Sequence, residues 1–297
     1  MLFIKKTILT AILLAFPIVS IAQEDLLSEI DSTATNVVVE SAFKSLKIVN
    51  LESTKLVAKG DIYFIVAHRF GFIDKGFDDF FGLDNANTQL KFSYGVNDWL
   101  TVHLGRSGFQ ETYDLGAKYR LYSQIENGFP VTIVGFNSLA INSELKEDDY
   151  PNLKFENRLS YVAQVLISRK FSEKLSLEIA PSIFHENTLQ DILDDNNAVI
   201  SPNPQDNTQF AVGFGGRYKI ASRWSINVDY AAHLNRASQS NYKNPLSIGV
   251  DLETGGHVFQ MHFTNAQAMH ESGYLGQTIG DWSKGKIAFG FNLIRVF

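Results

Sequence analysis

The last eleven residues of the chain, IAFGFNLIRVF, alternate between large apolar and small or polar side chains. Successive side chains of a β-strand point to opposite faces. In an extended strand, Phe289, Phe291 and Leu293 therefore share one face, while Gly290 and Asn292 share the other. This pattern predicts a strand with an apolar environment on one side only.

The same alternation recurs through most of the chain. Lys91 and Ser93 fall opposite Phe92 and Tyr94, and later segments repeat the pattern. Period-two segments bounded by turn residues predict strands. The predicted strands are Asp61–Arg69, Thr88–Val96, Trp99–Arg106, Tyr113–Tyr122, Val131–Ile141, Arg158–Phe171, Leu175–His185, Gln209–Ile220, Trp224–Leu234, Leu246–Glu253, His257–Ala266 and Lys286–Phe297.

The connections between these strands differ in length in a regular way. Those after even-numbered strands are short, such as Asn97-Asp98 and Thr254-Gly255-Gly256, whereas several after odd-numbered strands are long. Short turns at one end and long loops at the other are typical of outer-membrane barrels, whose strand number is even. We therefore predict an all-β fold, a transmembrane antiparallel up-and-down β-barrel of about twelve strands. A soluble β-sandwich would not produce this asymmetry.

This fold predicts short periplasmic turns, long extracellular loops, and both termini in the periplasm of a Gram-negative cell envelope. Residues 1–22 carry a basic start, an apolar core and a small-residue cleavage motif, which predict a signal peptide. Residues 23–60 are predicted to form a periplasmic segment, partly disordered or plug-like, and residues 61–297 the outer-membrane barrel. Whether Val37–Asn50 plugs the lumen stays open from the sequence.

Composition excludes several classes of function. The net charge of -6 gives no reason to expect nucleic-acid binding. Cysteine is absent, which excludes disulfides, thiol catalysis and a lipid-modified cysteine anchor. No cofactor is predicted.

Aromatic residues fall near the predicted strand ends, where barrels carry interfacial girdles. We therefore predict contact with outer-membrane lipid. The strand that ends at Phe297 resembles the C-terminal signal of bacterial outer-membrane barrels, which implies recognition by the barrel-assembly machinery. Arg295 lies on the apolar face near that end, from which its guanidinium can reach lipid headgroups. The girdle candidates are Trp99, Tyr113, Tyr122, Phe171, Tyr218, Trp224 and Phe297.

The face opposite the apolar one is predicted to line the lumen, with mixed charges and an excess of basic groups. Rings of charged side chains set pore selectivity, so this face indicates a passive or gated channel for small polar or anionic solutes. The alternatives are that paired charges or loops fill the space, leaving a non-conducting surface-binding or assembly component. The predicted lumen residues are Arg69, Lys91, His103, Lys118, Arg120, Arg158, Glu178, Arg217, Lys219, Asp229, His233, Asp251, Glu253 and His262.

Neither metal binding nor hydrolytic catalysis is predicted for this chain. His257 and His262 are five residues apart and so lie on opposite faces of one strand, which prevents them from sharing a metal ion. The run His270-Glu271-Ser272 could belong to a lipid-active hydrolase only if a third group oriented the imidazole beside the hydroxyl. The sequence shows no such support, and the protein is predicted not to be an enzyme.

Several short motifs together resemble an uncharacterised bacterial outer-membrane β-barrel family, domain of unknown function number five-seven-seven-seven. The resemblance extends from about Phe43 to the end of the chain and implies fold and location but no activity. The motifs are His68-Arg69-Phe70-Gly71, Phe81-Gly82-Leu83-Asp84, Gly105-Arg106-Ser107, Gly215-Gly216-Arg217-Tyr218, the run from Glu253 to Asn265, and Ile294-Arg295-Val296-Phe297.

Overall fold

The computed structural model describes residues 37–148, 152–189, 192–193, 199–201 and 204–297. The predicted signal peptide and the first part of the predicted periplasmic segment, residues 23–36, lie outside the described residues.

Twelve long strands form a closed antiparallel barrel, and a short hairpin, β8–β9, lies in the connection between β7 and β10. All twelve predicted strands are confirmed. The largest difference between a predicted and an observed boundary is at the end of β1, which continues to Phe72 instead of ending at Arg69. The strands are β1 (Ile62–Phe72), β2 (Ala86–Asn97), β3 (Leu100–Ser107), β4 (Tyr113–Tyr122), β5 (Thr132–Ile141), β6 (Leu159–Lys170), β7 (Leu175–Glu186), β8 (Ile192–Leu193), β9 (Val199–Ser201), β10 (Thr208–Lys219), β11 (Trp224–His233), β12 (Leu246–Thr254), β13 (His257–Thr264) and β14 (Ala288–Val296).

The barrel closes where the first strand meets the last. Tyr63 pairs with Val296 and the register runs on to Arg69 opposite Gly290. Two backbone hydrogen bonds between Ile62 and Phe297, of 3.1 and 2.9 Å, extend this seam to the end of the chain. Closure removes the open edges that a hydrocarbon environment would leave without hydrogen bonds.

The alternation of polar and apolar residues along each strand separates the inner face of the barrel from the outer face. On β2, the side chains of Lys91 and Ser93 are buried, whereas Phe92 and Tyr94 are about half exposed. Outward aromatic rings touch across the strands, with the centroids of Phe64 and Phe92 4.8 Å apart. An apolar outer band over a polar inner face is the pattern of membrane barrels.

The two ends of the barrel differ as predicted. The short-turn end carries connections 98–99, 123–131, 171–174, 220–223 and 255–256; the long-loop end carries 73–85, 108–112, 142–158, 187–207, 234–245 and 265–287. Among the aromatic residues predicted as a girdle, Tyr113 begins β4 at the long-loop end. The others gather with exposed side chains at the short-turn end: Trp99, Tyr122, Phe171, Tyr218, Trp224 and Phe297.

Helical structure is sparse. Among the residues that the structure describes, the α-helix α1 (Glu271–Gly276) lies in the connection between β13 and β14, and four short 3-10 turns lie in other connections or beside it. Within the described ranges, no helix is long and apolar enough to cross a membrane.

Candidate functional site: the barrel interior

Residues 41–57, which we call the inner segment, lie inside the barrel. The chain reaches them from the short-turn end, where the backbone of Val39 donates to Gln124 at 2.9 Å. It leaves them at the same end, where Gly60 donates to the carbonyl of Gly95 at 2.8 Å and β1 begins. The segment thus enters and returns through one mouth of the barrel. It contains no strand, only an isolated bridge between Lys47 and Glu52.

Three glycines of the wall make room for the inner segment. A Cβ at Gly95 would lie 2.0 Å from the carbonyl oxygen of Ala58, and one at Gly215 would lie 2.0 Å from the Ile48 side chain. At Gly213 it would meet Leu51 at 2.8 Å. The wall and the segment are therefore fitted to each other at positions where no larger residue is possible without a shift.

The deepest point of the inner segment is held by one carboxylate of β11. Oδ2 of Asp229 accepts hydrogen bonds from the backbone N–H groups of Val49, Asn50 and Leu51, at 3.0, 2.6 and 2.9 Å. Successive N–H groups that converge in this way form an anion-binding concavity. Asp229 is fully buried, so these bonds satisfy a charge that would otherwise be costly inside the barrel.

A second anchor joins the segment to the barrel seam. Arg69 of β1 donates from Nη2 to Oδ1 of Asn50 at 2.7 Å and from Nη1 to Oδ1 of Asn292 at 3.0 Å. Asn292 of β14 in turn donates to the carbonyl of Val49 at 3.1 Å. The strands that close the barrel are therefore bridged by the segment within it.

A buried charge network surrounds Glu52 of the inner segment. Its carboxylate lies 2.7 Å from Nζ of Lys118, 3.6 Å from Nζ of Lys91 and 3.5 Å from Nζ of Lys47. Burial alone raises the pKa of the Glu52 carboxyl, but these ammonium groups together hold it below its usual range. Lys91 also pairs with Asp114 at 3.2 Å. The segment thus supplies a negative charge that a basic part of the wall requires.

Part of the interior, beside β5, β6 and β7, is apolar. Inward side chains of β5, β6 and β7 form a buried cluster with apolar residues of the inner segment. The sequence analysis assigned only polar side chains to the lumen and did not anticipate this patch. Its members include Phe43, Ile48, Leu51 and Leu56 from the segment, and Val134, Phe136, Val162, Leu166, Ala180 and Phe184 from the wall.

A second piece of chain fills the long-loop half of the lumen. Residues 265–280, the inner loop, fold back into the barrel, and all six residues of α1 are buried. Tyr274 is fully buried and its hydroxyl donates to Oδ1 of Asp229 at 3.0 Å. Lys47 of the inner segment reaches the carbonyl of Met269 at 3.0 Å and the carboxylate of Glu271 at 2.5 Å. The inner segment and inner loop therefore contact each other directly.

The space between the inner segment and the nearby wall strands β1, β2, β3, β4 and β14 is small. A cavity of about 30 Å³ lies between the inner segment and the wall, lined by Lys47, Glu52, Arg69 and Lys91 among others. This volume holds about two water molecules. A solute larger than water cannot pass through this cavity in the conformation described.

The predicted lumen residues occupy three kinds of position. Lys219, Arg120 and Glu253 are half-buried near the short-turn end. Arg158 lies outside the strands, because β6 begins at Leu159; it ends a 3-10 turn at the long-loop end and donates to the carbonyl of Leu145. The remaining ten are buried and point inward: Arg69, Lys91, His103, Lys118, Glu178, Arg217, Asp229, His233, Asp251 and His262.

Neither metal nor hydrolytic chemistry gains support from the interior. The described part of the chain contains no group of three or more His, Asp or Glu residues that could hold a metal ion. His68 faces outward, where its ring stacks on Phe291, so it does not approach the buried His262. Ser272 shares a 2.8 Å hydrogen bond with the hydroxyl of Ser160, and Glu271 binds Lys47. The His270-Glu271-Ser272 run is buried against rigid structure, which corrects the expectation of an unsupported loop.

Sequence reasoning did not identify the partners of the predicted wall charges. Lys47, Glu52, Glu271 and Tyr274 lie in the inner segment and inner loop, where no periodic pattern marks an element. The signal that could have found them is charge balance: a buried wall with Lys91 and Lys118 requires acidic partners from elsewhere in the chain.

The chain is similar to several solved structures and matches one family model. The solved structures include the NanC porin, with 11% identity over 79% of this chain and 98% of that one and a TM-score of 0.46. An outer membrane channel from Pseudomonas putida F1 has 13% identity over 82% of this chain and 97% of that one, with a TM-score of 0.49. No curated protein matches the sequence. The family described as "Membrane bound beta barrel domain (DUF5777)" matches residues 43–297, and the chain belongs to this family of membrane-bound barrels.

Proposed function

We propose that the protein is a gated outer-membrane channel for small polar or anionic solutes, with the inner segment as its gate. One observation carries the proposal: hydrogen bonds and ion pairs to Asp229, Lys118 and Arg69 hold the gate to the wall, beside areas of apolar packing. Those wall groups, such as Asp229, Lys118 and Arg69, would face water when the segment moves. Polar and charged groups facing an aqueous lumen are the pattern of barrel channels.

The apolar side of the interior favours a gated channel over a passive one. Four large side chains of the segment, Phe43, Ile48, Leu51 and Leu56, are buried on that side. Exposing each costs about 1.5–3 kcal/mol, or roughly 6–12 kcal/mol together. Spontaneous full release would therefore be rare, and opening requires a partial movement or an agent that pulls or displaces the segment.

The charge of the uncovered wall supports selection for anions. Lys118 has one carboxylate within 4.0 Å in the described structure, that of Glu52, which belongs to the gate. Lys91 would keep Asp114 but lose Glu52. Outward movement of the segment therefore leaves Lys118 and Lys91 without the carboxylate of Glu52, although the segment also takes its own lysines, Lys44, Lys47 and Lys55, out of the pathway.

The lengths of the loops support one orientation in the membrane. We propose that the long-loop end faces the exterior and the short-turn end the periplasm, as in other outer-membrane barrels. Both connections of the inner segment pass through the short-turn mouth, so the gate would be withdrawn from the periplasmic side.

A reversible lock tests the proposal. The hydroxyls of Thr54 in the gate and Ser168 in β6 lie 2.5 Å apart, so Thr54→Cys with Ser168→Cys places two thiols within reach of a disulfide. The chain has no other cysteine. In planar bilayers, the oxidised double variant should give no conductance steps, and reduction should restore those of the unmodified protein. The two single variants, treated identically, are the controls.

Conductance measurements also test the competing function. The apolar side of the interior suits a permanently filled barrel that acts as a surface-binding or assembly component. Conductance that is absent from the unmodified protein, and from a variant with residues 41–57 replaced by a Gly/Ser linker, would establish that alternative. Equal conductance in the oxidised and reduced double variant would show that the segment does not gate.

A further inference from the structure

We propose that Lys55 and Arg120 form a binding site for a small oxyanion at the short-turn mouth, and that the bound anion ties the inner segment to the wall. Lys55 belongs to the inner segment and Arg120 to β4. The proposed site therefore combines one residue of the gate with one residue of the wall, and opening of the gate would separate the two.

The backbone positions place Lys55 and Arg120 at the same end of the barrel, near enough for their charges to interact. Arg120 is two residues beyond Lys118 on β4, which makes it the next inward position towards the short-turn end. Lys118 itself donates from Nζ to the carbonyls of Leu46 and Ser53, at 2.6 and 2.8 Å, and lies 3.5 Å from that of Lys55. The inner segment thus passes over β4 at the level where Arg120 begins to line the mouth.

The two cations differ from their neighbours in having no anionic partner. Lys118 pairs with Glu52, and Arg217 pairs with Glu253 at 2.5 Å. By contrast, neither Lys55 nor Arg120 makes an ion pair within 4.0 Å, or a side-chain hydrogen bond, to any residue of the described structure. Nε of Arg120 is buried with no acceptor. A buried guanidinium nitrogen without an acceptor is costly, and a ligand oxygen would satisfy it.

The nearby acids are engaged elsewhere or too distant to pair. Glu40 binds Lys44 at 2.6 Å and lies 3.9 Å from Lys170. Asp61 and Asp98 act on Lys55 and Arg120 respectively only at longer range.

The electrostatics of Lys55 agree with this account. Burial, and then the positive charge of Lys44, lower the pKa of the Lys55 ammonium, with a further contribution from Arg120. Glu40 opposes the shift, but a bound anion would relieve the repulsion that Lys44 and Arg120 exert on Lys55.

The chemistry of the two groups defines the ligand class. A guanidinium presents a planar fork that matches two oxygens of a carboxylate or phosphate, and an ammonium adds a point charge with rotatable donors. Both groups face the lumen mouth rather than lipid, so the occupant is a soluble oxyanion such as phosphate. Chloride has no pair of oxygens to match the guanidinium fork, so it should bind more weakly than phosphate.

The site has a consequence for the gate. An oxyanion bridging Lys55 and Arg120 adds a contact that exists only when the segment lies against β4. By mass action, a ligand that binds one conformation stabilises it. Phosphate should therefore favour the closed state.

Calorimetric titration of the purified full chain with inorganic phosphate tests the binding, with chloride at matched ionic strength as the reference. We expect saturable binding of phosphate, and affinity lower by about tenfold or more in Lys55→Gln and in Arg120→Gln. Lys59→Gln, which removes an exposed lysine nearby, should change affinity by less than about twofold.

Two results would overturn the site: phosphate that binds no better than chloride, or phosphate affinity that is unchanged in the Lys55→Gln/Arg120→Gln double variant. Thermal unfolding with and without phosphate checks that the variants are folded, since the unliganded midpoints should match that of the unmodified chain within a few degrees. The phosphate titration does not depend on conductance, so failure of the proposed site can be distinguished from failure of the channel proposal.

Discussion

The hydroxyl of Tyr274 and the carboxylate of Asp229 are joined by a 3.0 Å hydrogen bond inside the barrel. The other oxygen of the same carboxylate accepts three consecutive backbone N–H groups of the inner segment. One side chain of the wall therefore holds both the inner segment and the inner loop. Any movement of one piece changes the hydrogen bonding of the other.

Replacing Asp229 by Asn should release the inner segment. The substitution removes the charge that gathers Val49, Asn50 and Leu51, and it can turn an amide N–H towards those donors. We expect a loss of about 3 kcal/mol in the free energy of unfolding, because hydrogen bonds to charged groups contribute about 1.5–3 kcal/mol and buried donors are left unpaired. Urea unfolding measures the loss, and limited proteolysis reports exposure of residues 41–57.

Ser225→Ala is the matched control for that substitution. Ser225 lies on the same strand, is fully buried and has no hydrogen-bond partner for its hydroxyl in the described structure. Its replacement should change stability by less than about 0.5 kcal/mol. Equal sensitivity of both variants to protease would contradict the role assigned to Asp229.

The bond between Lys47 and Glu271 should couple the inner segment to the inner loop energetically. A double-mutant cycle with Lys47→Met and Glu271→Gln should give a coupling energy of about 1–3 kcal/mol, because both groups are largely buried. The exposed pair of Lys44 and Glu40 provides the comparison, with coupling below about 0.5 kcal/mol. Coupling near zero for the buried pair would show that the two pieces move independently.

Gly95→Ala should displace the inner segment where it leaves the lumen. The added Cβ meets the backbone oxygen of Ala58 at 2.0 Å, and backbone cannot rotate away as a side chain can. We expect a loss of about 1–3 kcal/mol in stability and more frequent conductance steps. Gly216→Ala is the control, since its Cβ would touch only the flexible end of Leu177 closely, at 3.3 Å. A Gly95→Ala protein with no more conductance steps and no lower stability than Gly216→Ala would contradict the close contact between Gly95 and the inner segment.

Acid should loosen the inner loop through His270. Burial lowers the pKa of this imidazole to about 4; Asp114 opposes the shift, while the charges of Lys47 and Lys91 add to it. The folded-state pKa lies below the ordinary value of about 6.5, so the stabilisation is complete above pH 6.5 and is lost as pH falls towards 4. The loss amounts to about 3 kcal/mol over that interval.

Thermal unfolding as a function of pH measures this loss. The midpoint of the unmodified protein should fall more steeply between pH 6.5 and 4 than that of His270→Gln, which cannot gain the proton. Parallel curves would show that His270 does not contribute to the acid response.

The barrel could be predicted from the sequence because each strand repeats one local rule many times. Alternation along β2 places Lys91 inside and Phe92 outside, and the parity of turns and loops follows from strand number alone. These features depend on neighbours within a strand or hairpin. They therefore need no knowledge of distant contacts.

The contents of the barrel could not be predicted in the same way. Glu52 pairs with Lys118, and Lys47 pairs with Glu271, although the partners are far apart in sequence. No periodic pattern in the sequence marks these positions. The inward apolar residues of β5, such as Val134 and Phe136, look like lipid-facing ones in a one-dimensional pattern. Only the packed segment shows that they line an interior.

The contact between Val49 and Asn292 spans 243 residues of sequence, yet the inner segment leads directly into β1, which is one side of the barrel seam. Contacts of such separation form late, because a long loop must close before they are made. We therefore expect the segment to reach the seam together with β1, as β1 pairs with β14. Both of its connections pass through the short-turn mouth, so filling of the lumen needs no passage of the chain through the wall.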